Sequence, residues 1–159
     1  MDRKEITNML SKQLEYYINP RNDSRIYYSK EVTFNYGYEG ECRIDYMKFE
    51  PKNNSVSGIE QGTFIAYEIK SSVSDFNSGH GCNWNIADKS YIVTLPEVYE
   101  EIKHLLPYWV GCIVPDGKSM RVIKNAKMHD RDKPTSYMLL MMYRSCNREI
   151  YKIKRNETK

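Results

Sequence analysis

An apolar segment that ends in two charged residues places the strongest constraint on how this chain folds. Residues 63–70 read TFIAYEIK and lead directly into the serine-rich run SSVSDF. The side chains of a strand alternate between its two faces, so Glu68 and Lys70 leave the same face while Ile69 points to the other. An unpaired charge buried in an apolar strand is costly, so both groups need partners. The segment therefore predicts either a salt-bridged strand end or a site that uses both charges.

A second acidic residue lies on the strand-like segment just upstream. Asp45 falls within residues 41–49, and a polar loop rich in Asn, Ser and Gly separates it from the strand that carries Glu68. A hairpin of this kind brings the two carboxylates within reach of one divalent cation, and Mg²⁺ or Mn²⁺ prefers such oxygen ligands. We therefore predict Asp45, Glu68 and the carbonyl of Ile69 as metal ligands. Lys70 is the predicted catalytic cation, which orients water or neutralises charge developing on a phosphodiester.

The order of the predicted helices and strands indicates a single domain over residues 1–159. A chain of 159 residues can bury its own core but has little room for a second domain. One helix precedes three strands that can pair antiparallel, and the later strands alternate with helical connections, which is typical of an α/β sandwich with a mixed central sheet. The predicted elements are helix 3–18, strands 27–38, 41–49 and 63–70, a helical or irregular crossover over 71–87, strand 90–95, helix 96–106, strands 109–114 and 120–123, and helix 134–153. The inward-facing residues predicted for the last helix are Tyr137, Leu140, Met141 and Cys146, and its methionines Met138, Met141 and Met142 are expected to fill the core.

Composition excludes several classes of protein. No continuous apolar run is long enough to cross a membrane, and the first residues do not resemble a signal peptide. Four widely spaced cysteines without a CxxC pair indicate reduced thiols, so we expect a cytoplasmic protein with no membrane partner. His80-x-Cys82, with distant Cys112 and Cys146, lacks the second closely spaced pair of a zinc site, and zinc is not predicted. The net charge of +3 permits a nucleic-acid partner without demanding one.

The same segments resemble a known family. Arg43-Ile44-Asp45, FIAYEIKSSVSDF, KSYIVTLPEVYEEI and VGCIVPDG are similar to segments of the MmcB-like DNA-repair proteins, which belong to the PD-(D/E)XK nuclease superfamily; the likeness covers about residues 41–125. It implies the restriction-endonuclease-like fold, DNA as substrate, Mg²⁺ as metal, and a role in DNA repair or phage DNA metabolism. By position, Asp45 matches the first acid of the family, and Glu68 and Lys70 match its E-x-K.

The resemblance also implies a further carboxylate on the first helix, and Glu15 or Glu5 is the candidate. This chain departs from the family at two points. Ile44, instead of the motif proline, precedes the first acid. In relatives a Lys-Trp pair follows the serine-rich run, whereas here Trp84 has no basic residue before it, which weakens the expected contacts to DNA.

Residues after the E-x-K motif are the predicted nucleic-acid contacts. Ser71 and Ser72 follow Lys70 directly, His80 lies between two glycines in a loop expected to cover the cleft, and Trp84 is the candidate equivalent of the family tryptophan. The serines have an alternative role, since together with Asp75 they can cap a turn and satisfy backbone donors.

Two classes of function remain open from the sequence. The first is a Mg²⁺- or Mn²⁺-dependent nuclease that acts on DNA. A nuclease of the same kind that acts on RNA is a third possibility. The second is a catalytically inactive module that keeps the fold and binds nucleic acid or a protein partner. Breaking both strands of a duplex would require a second copy of a one-site domain, or two successive events, so a homodimer is one of the expected assemblies.

Overall fold

A computed structural model describes residues 1–81 and 84–159 of the chain. In chain order, its helices and strands are α1 Arg3–Ile18, β1 Tyr27–Phe34, β2 Cys42–Glu50, α2 Val56–Glu60, β3 Thr63–Ile69, α3 Val73–Asn77, β4 Lys89–Val93, α4 Pro96–Ile102, β5 Gly111–Asp116, β6 Ser119–Lys124 and α5 Thr135–Glu157. A short 3₁₀ turn, Lys103–Leu105, continues α4. Within the described ranges, none of the helices combines the length and the apolar character that a membrane crossing requires.

The six strands form one sheet in which every strand lies beside its neighbours in the sequence. β1, β2 and β3 pair antiparallel, β3, β4 and β5 pair parallel, and β6 returns antiparallel to β5. The parallel pairs require crossovers, which α3 and α4 provide. The predicted α/β sandwich with a mixed central sheet is therefore confirmed, with β3 at the boundary between its antiparallel and parallel halves.

Helices cover both faces of the sheet. On one face Leu10 and Leu14 of α1 pack against alternate residues of β3, among them Tyr67 and Ile69. On the other face the methionines of α5 pack against β1, β2 and the intervening residues of β3, and α4 covers β4 and β5. β3 is buried on both faces, so the charged groups at its carboxyl end are held close to the core.

The predicted boundaries of the first helix are confirmed because its start is marked locally. The Asp2 side chain accepts from the amide of Glu5, and the Glu5 carboxylate accepts from the amide of Asp2, which is a capping box. In the last helix the predicted burial of Met138, Met141 and Met142 is confirmed, but the predicted inward positions of Leu140 and Cys146 are wrong. Leu140 is 47% exposed and Cys146 is also exposed, whereas Met138 is fully buried. Apolar residues lie on more than one side of this helix, so its sequence alone does not show which side is buried. Packing against β1 determines which side faces the core.

Two connections also differ from the prediction. The loop before β3 contains α2, whose start is capped by the Ser55 hydroxyl. The strand predicted over residues 109–114 ends later than expected, because Pro115 and Asp116 still pair with β6 and the chain reverses at Gly117. Gly117 has a φ of +61°, a conformation that glycine adopts at no steric cost.

Candidate active site

The sheet brings Asp45 and Glu68 together at the carboxyl end of β3. Tyr46 pairs with Tyr67, and continuing that antiparallel register sets Asp45 opposite Glu68. The Asp45 carboxylate accepts a hydrogen bond of 2.8 Å from the amide of Ile69, which fixes it against the end of β3. The predicted convergence of two carboxylates from neighbouring strands is therefore present in the structure.

A local distortion of the β1–β2 pair coincides with Asp45. The register places Asp45 opposite Glu31, whose φ of 51° is unusual for a residue other than glycine. Ile44 and Met47 share one core cluster, although strict alternation would put them on opposite faces. The strand therefore rotates around Asp45, so that this residue faces the end of β3 while apolar residues on both sides of it reach the core.

Glu68 is buried in an environment that disfavours its charge. The residue is 5% exposed, and its Oε2 atom is buried without a hydrogen-bond partner among the described residues. Desolvation first, and then repulsion from Asp45, raises the pKa of Glu68 to about 9, against the opposing effect of Lys70. Desolvation also raises the pKa of Asp45, opposed by the amide of Ile69. Without a bound cation, Glu68 is therefore protonated at neutral pH.

Lys70 lies on the same side as Glu68, as strand alternation predicts. Its Nζ atom is 3.9 Å from Glu68 Oε1 and donates to the carbonyl of His80. The backbone is held by Thr94, whose hydroxyl donates to the Lys70 carbonyl, and by Val93, whose carbonyl accepts from the Lys70 amide. Lys70 is 3% exposed, so its ammonium is held between Glu68 and the loop that carries His80.

A glycine allows the loop after α3 to rest on Glu68. Gly81 has a φ of +74°, and a Cβ atom there would lie 2.1 Å from Glu68 Oε1. Its neighbour His80 supplies the carbonyl that accepts from Lys70, and both residues line the cleft. The predicted position of His80 at the cleft is confirmed, although the contact seen is made by its backbone.

A cleft of about 1350 Å³ opens over the carboxylates. Its walls come from α1, β1, β2, the end of β3, the loop 79–81 and the last turns of α5. The cleft-lining cations are Arg3, Lys30, Arg43, Lys70 and Lys152, and the acids are Glu31, Glu41, Asp45, Glu68, Asp75 and Glu149. The nearly balanced charge distinguishes the cleft from the strongly basic groove expected of a protein that follows a duplex.

Comparison with known proteins gives a likeness in architecture. No family model and no curated protein matches the chain. A similar solved structure is that of the SPO1766 protein of unknown function from Silicibacter pomeroyi, with a TM-score of 0.67 over 100% of this chain and 96% of the other. The sequences are 15% identical. This likeness concerns the fold alone.

The first helix does not supply the predicted third carboxylate. Glu15 forms an ion pair with Lys30 and accepts a hydrogen bond of 2.7 Å from the Tyr46 hydroxyl, and it is not among the cleft-lining residues. Glu5 is held in the helix cap. From α1, Thr7 and Ser11 line the cleft. Accordingly, no group of three or more acidic, histidine or cysteine residues in the described part of the chain could hold a metal.

The remaining ligands fit a hard cation that keeps part of its water shell. Asp45 and Glu68 offer carboxylate oxygens, and Glu68 Oε2 has no protein partner within the described ranges. Such oxygens suit Mg²⁺ or Mn²⁺. Ile69 holds Asp45 through its amide, while its side chain packs in the core. The contribution of the Ile69 carbonyl stays a prediction.

Three predicted nucleic-acid contacts have structural roles instead. Ser71 is 2% exposed, and its amide and hydroxyl both donate to the Asp75 carboxylate. Ser72 caps α3 by accepting from the Asp75 amide. Trp84 packs beside α4, its carbonyl accepts from Ser90 and Trp109, and it is not among the cleft-lining residues. The predicted capping alternative for the serines is confirmed, and Cys82 of the rejected zinc pattern lies outside the described residues.

Sequence reasoning missed two contributors to the cleft. Arg3 at the start of α1 forms a salt bridge of 2.7 Å with Asp75, which ties that helix to the turn after the E-x-K motif. Tyr36 in the β1–β2 turn also lines the cleft. Asp75 belongs to a recognisable motif, but its partner lies 72 positions away in the chain, and no local pattern connects them.

Proposed function

We propose that this chain is a metal-dependent nuclease that hydrolyses phosphodiester bonds of DNA. The observation that carries the proposal is the Oε2 atom of Glu68, which is buried beside Asp45 and Lys70 and has no hydrogen-bond partner in the part of the chain that the structure describes. Buried polar atoms are nearly always satisfied, because an unsatisfied one retains its full desolvation cost. A divalent cation would supply the missing partner. The resemblance of these residues to the MmcB-like proteins supports the same assignment.

Each residue of the site has a task in this mechanism. Asp45 and Glu68 would hold Mg²⁺ or Mn²⁺, which when bound activates water and stabilises negative charge on the phosphate. The amide of Ile69 keeps the Asp45 carboxylate oriented. Lys70 presents an ammonium next to Glu68, where it can orient the attacking water or neutralise charge that develops on the phosphate oxygens.

Cleavage of labelled DNA in Mg²⁺ or Mn²⁺ tests the proposal. Glu68→Ala and Lys70→Ala should each lower the rate by at least about a hundredfold, since each removes a group that acts on the reacting atoms. Glu97→Ala, which removes an exposed acid on α4, should cleave like the unmodified protein. Circular dichroism checks that all variants remain folded. Equal cleavage by all of the proteins would indicate a contaminating nuclease and contradict the proposal.

A catalytically inactive binding module is the second candidate. It is favoured by the lack of a cleft-lining carboxylate on α1 and by the existing partners of Lys70 and Asp45. Calorimetric titration with Mn²⁺ separates the candidates. A nuclease should take up Mn²⁺ and lose this uptake in Asp45→Asn and Glu68→Gln, whereas an inactive module should take up none. Competition between DNA and RNA oligonucleotides then identifies the preferred nucleic acid.

The cellular setting that we propose follows from this chemistry. A DNA substrate and reduced cysteines fit a cytoplasmic protein in DNA repair or in phage DNA metabolism. A homodimer would let two one-site domains act on the two strands of a duplex. Analytical ultracentrifugation with and without DNA measures whether two copies of the chain form a dimer.

A further inference from the structure

The turn between β1 and β2 carries two tyrosines that leave most of their surface in water. Tyr36 is 76% exposed and Tyr38 is 80% exposed. Tyr36 lines the cleft and stands on the same pair of strands that holds Asp45. A large aromatic ring gains from covering its face, and the fold gives these rings no such cover. The position beside the cleft therefore suits a flat ligand group.

The turn that presents these rings is held by its own hydrogen bonds. The Tyr38 amide donates to the Asn35 carbonyl, and the Asn35 side chain donates to the Gly40 carbonyl. The Gly37 amide donates to the Glu41 carboxylate. Gly37 and Gly40 both have positive φ values, which let the chain turn this tightly. A turn that is already ordered loses little conformational entropy when a ligand binds.

Most cations of the cleft already have a protein partner. Arg3 pairs with Asp75, Lys30 with Glu15 and Lys152 with Glu149. Lys70 is buried and donates to the His80 carbonyl. Arg43 is exposed and forms no salt bridge with any residue in the described ranges. Proteins that follow duplex DNA neutralise many phosphates, and their affinity depends steeply on salt. Among the residues that the structure describes, the cleft has one exposed cation without a salt bridge, so its affinity for nucleic acid must come mainly from other contacts.

We propose that the nucleic acid bound in this cleft is an unpaired strand, and that one of its bases stacks on the ring of Tyr36. Stacking is available to a base only when the strand is unpaired, and it tolerates any sequence. Arg43 contacts a neighbouring phosphate, and Tyr38 extends the aromatic surface of the turn. This inference rests on the proposed function, because it names the form of the substrate for the same site.

Fluorescence anisotropy with a labelled oligothymidylate in EDTA tests the stacking contact without cleavage. The unmodified protein should bind the single strand at least about tenfold more tightly than the matching duplex. Tyr36→Ala should weaken binding of the single strand by roughly tenfold, while Tyr36→Phe keeps the ring and should bind within about twofold of the unmodified protein. An oligouridylate probe shows whether the contact also accepts RNA.

Tyr143→Ala is the matched control, because Tyr143 is 65% exposed on α5 and does not line the cleft. Its binding should equal that of the unmodified protein. The logarithm of affinity should fall with the logarithm of salt with a slope no steeper than about −1.5, as expected for one or two phosphate contacts. Equal affinity for the duplex, a markedly steeper slope, or equal binding by Tyr36→Ala and Tyr143→Ala would each overturn the inference.

These outcomes are independent of the metal. The stacking inference fails or holds in EDTA, whereas the nuclease proposal fails if Mn²⁺ uptake is absent or is unchanged in Glu68→Gln. A protein that takes up Mn²⁺ through Glu68 and yet prefers duplex DNA would retain the proposed function and lose the stacking inference.

Discussion

Glu68 occupies a position where the folded protein favours its protonated form. Its pKa is raised to about 9 by burial and by the nearby Asp45, while the unfolded chain gives it an ordinary value near 4.5. Between these two values the unfolded state releases a proton that the folded state retains. In EDTA, the free energy of unfolding should therefore fall as the pH rises from 5 to 8, by more than about 2 kcal/mol from this residue.

Glu68→Gln isolates this effect, because an amide of the same shape does not titrate. Urea unfolding of both proteins at a series of pH values gives the difference in stability, in which titrating groups that do not interact with residue 68 cancel. The variant should be more stable than the unmodified protein at pH 8, and the advantage should shrink towards pH 5. A constant difference across the range would show that Glu68 is already ionised in the folded protein at neutral pH.

Side-chain placement was predictable where it depended on local periodicity and not where it depended on distant partners. Alternation along one strand suffices to put Glu68 and Lys70 on the same side. The position of Glu15 depends on Lys30 and the Tyr46 hydroxyl, which come from two later strands, so the helix sequence alone does not show it. The burial of Ser71 likewise depends on how the next turn folds back on it.

The loop after α3 gives a prediction at the scale of an element. Gly81→Ala should destabilise the protein more than Gly79→Ala. Both glycines have positive φ values, of +74° and +71°, so the alanines share the conformational cost of about 1–2 kcal/mol. Only at Gly81 would the added Cβ meet Glu68, at 2.1 Å, whereas Gly79 has open space. We expect an additional loss of about 1–3 kcal/mol, measured by urea unfolding. Equal losses would mean that the loop does not rest on Glu68.

Helix α5 gives a second prediction, which tests the inward face found in the structure. Met138→Ala should destabilise the protein by roughly 2–5 kcal/mol, because Met138 is fully buried against β1 and β2. Leu140→Ala removes a side chain that is 47% exposed and should lose less than about 1 kcal/mol. Thermal or urea unfolding of the two variants measures both values. A larger loss in Leu140→Ala than in Met138→Ala would contradict this inward face.

At the scale of the whole molecule, the mixed sheet was predictable because its order follows the chain. Neighbouring strands in the sequence are neighbours in the sheet throughout, so hairpins and crossovers could be assigned from connection length alone. The rotation of β2 at Asp45 was not predictable, since it depends on the unusual backbone of Glu31 on the facing strand. The cleft depends on that rotation as well as on the strand order.

Cation binding should stabilise the whole fold, because the unfolded chain does not hold Asp45 and Glu68 together. At a Mn²⁺ concentration about one hundred times Kd, the gain is about 2.7 kcal/mol, which corresponds to a rise in Tm of roughly 5–10 °C. Differential scanning fluorimetry with and without Mn²⁺ measures the shift. Glu97→Gln should keep the shift and Glu68→Gln should lose it. A shift of equal size in both variants would place the cation elsewhere on the protein.

The turn that carries Tyr36 joins β1, the outermost strand, to β2, and the backbone of β1 pairs with that one neighbour in the sheet. Adding or removing a pair of residues in this turn preserves the register of the remaining β1–β2 pairs. The acids and the lysine, in contrast, sit where three strands constrain one another. In the nuclease that we propose, changes to this edge hairpin would alter substrate preference while the residues that hold the metal stay in place, and grafting alternative hairpins would be a way to engineer that preference.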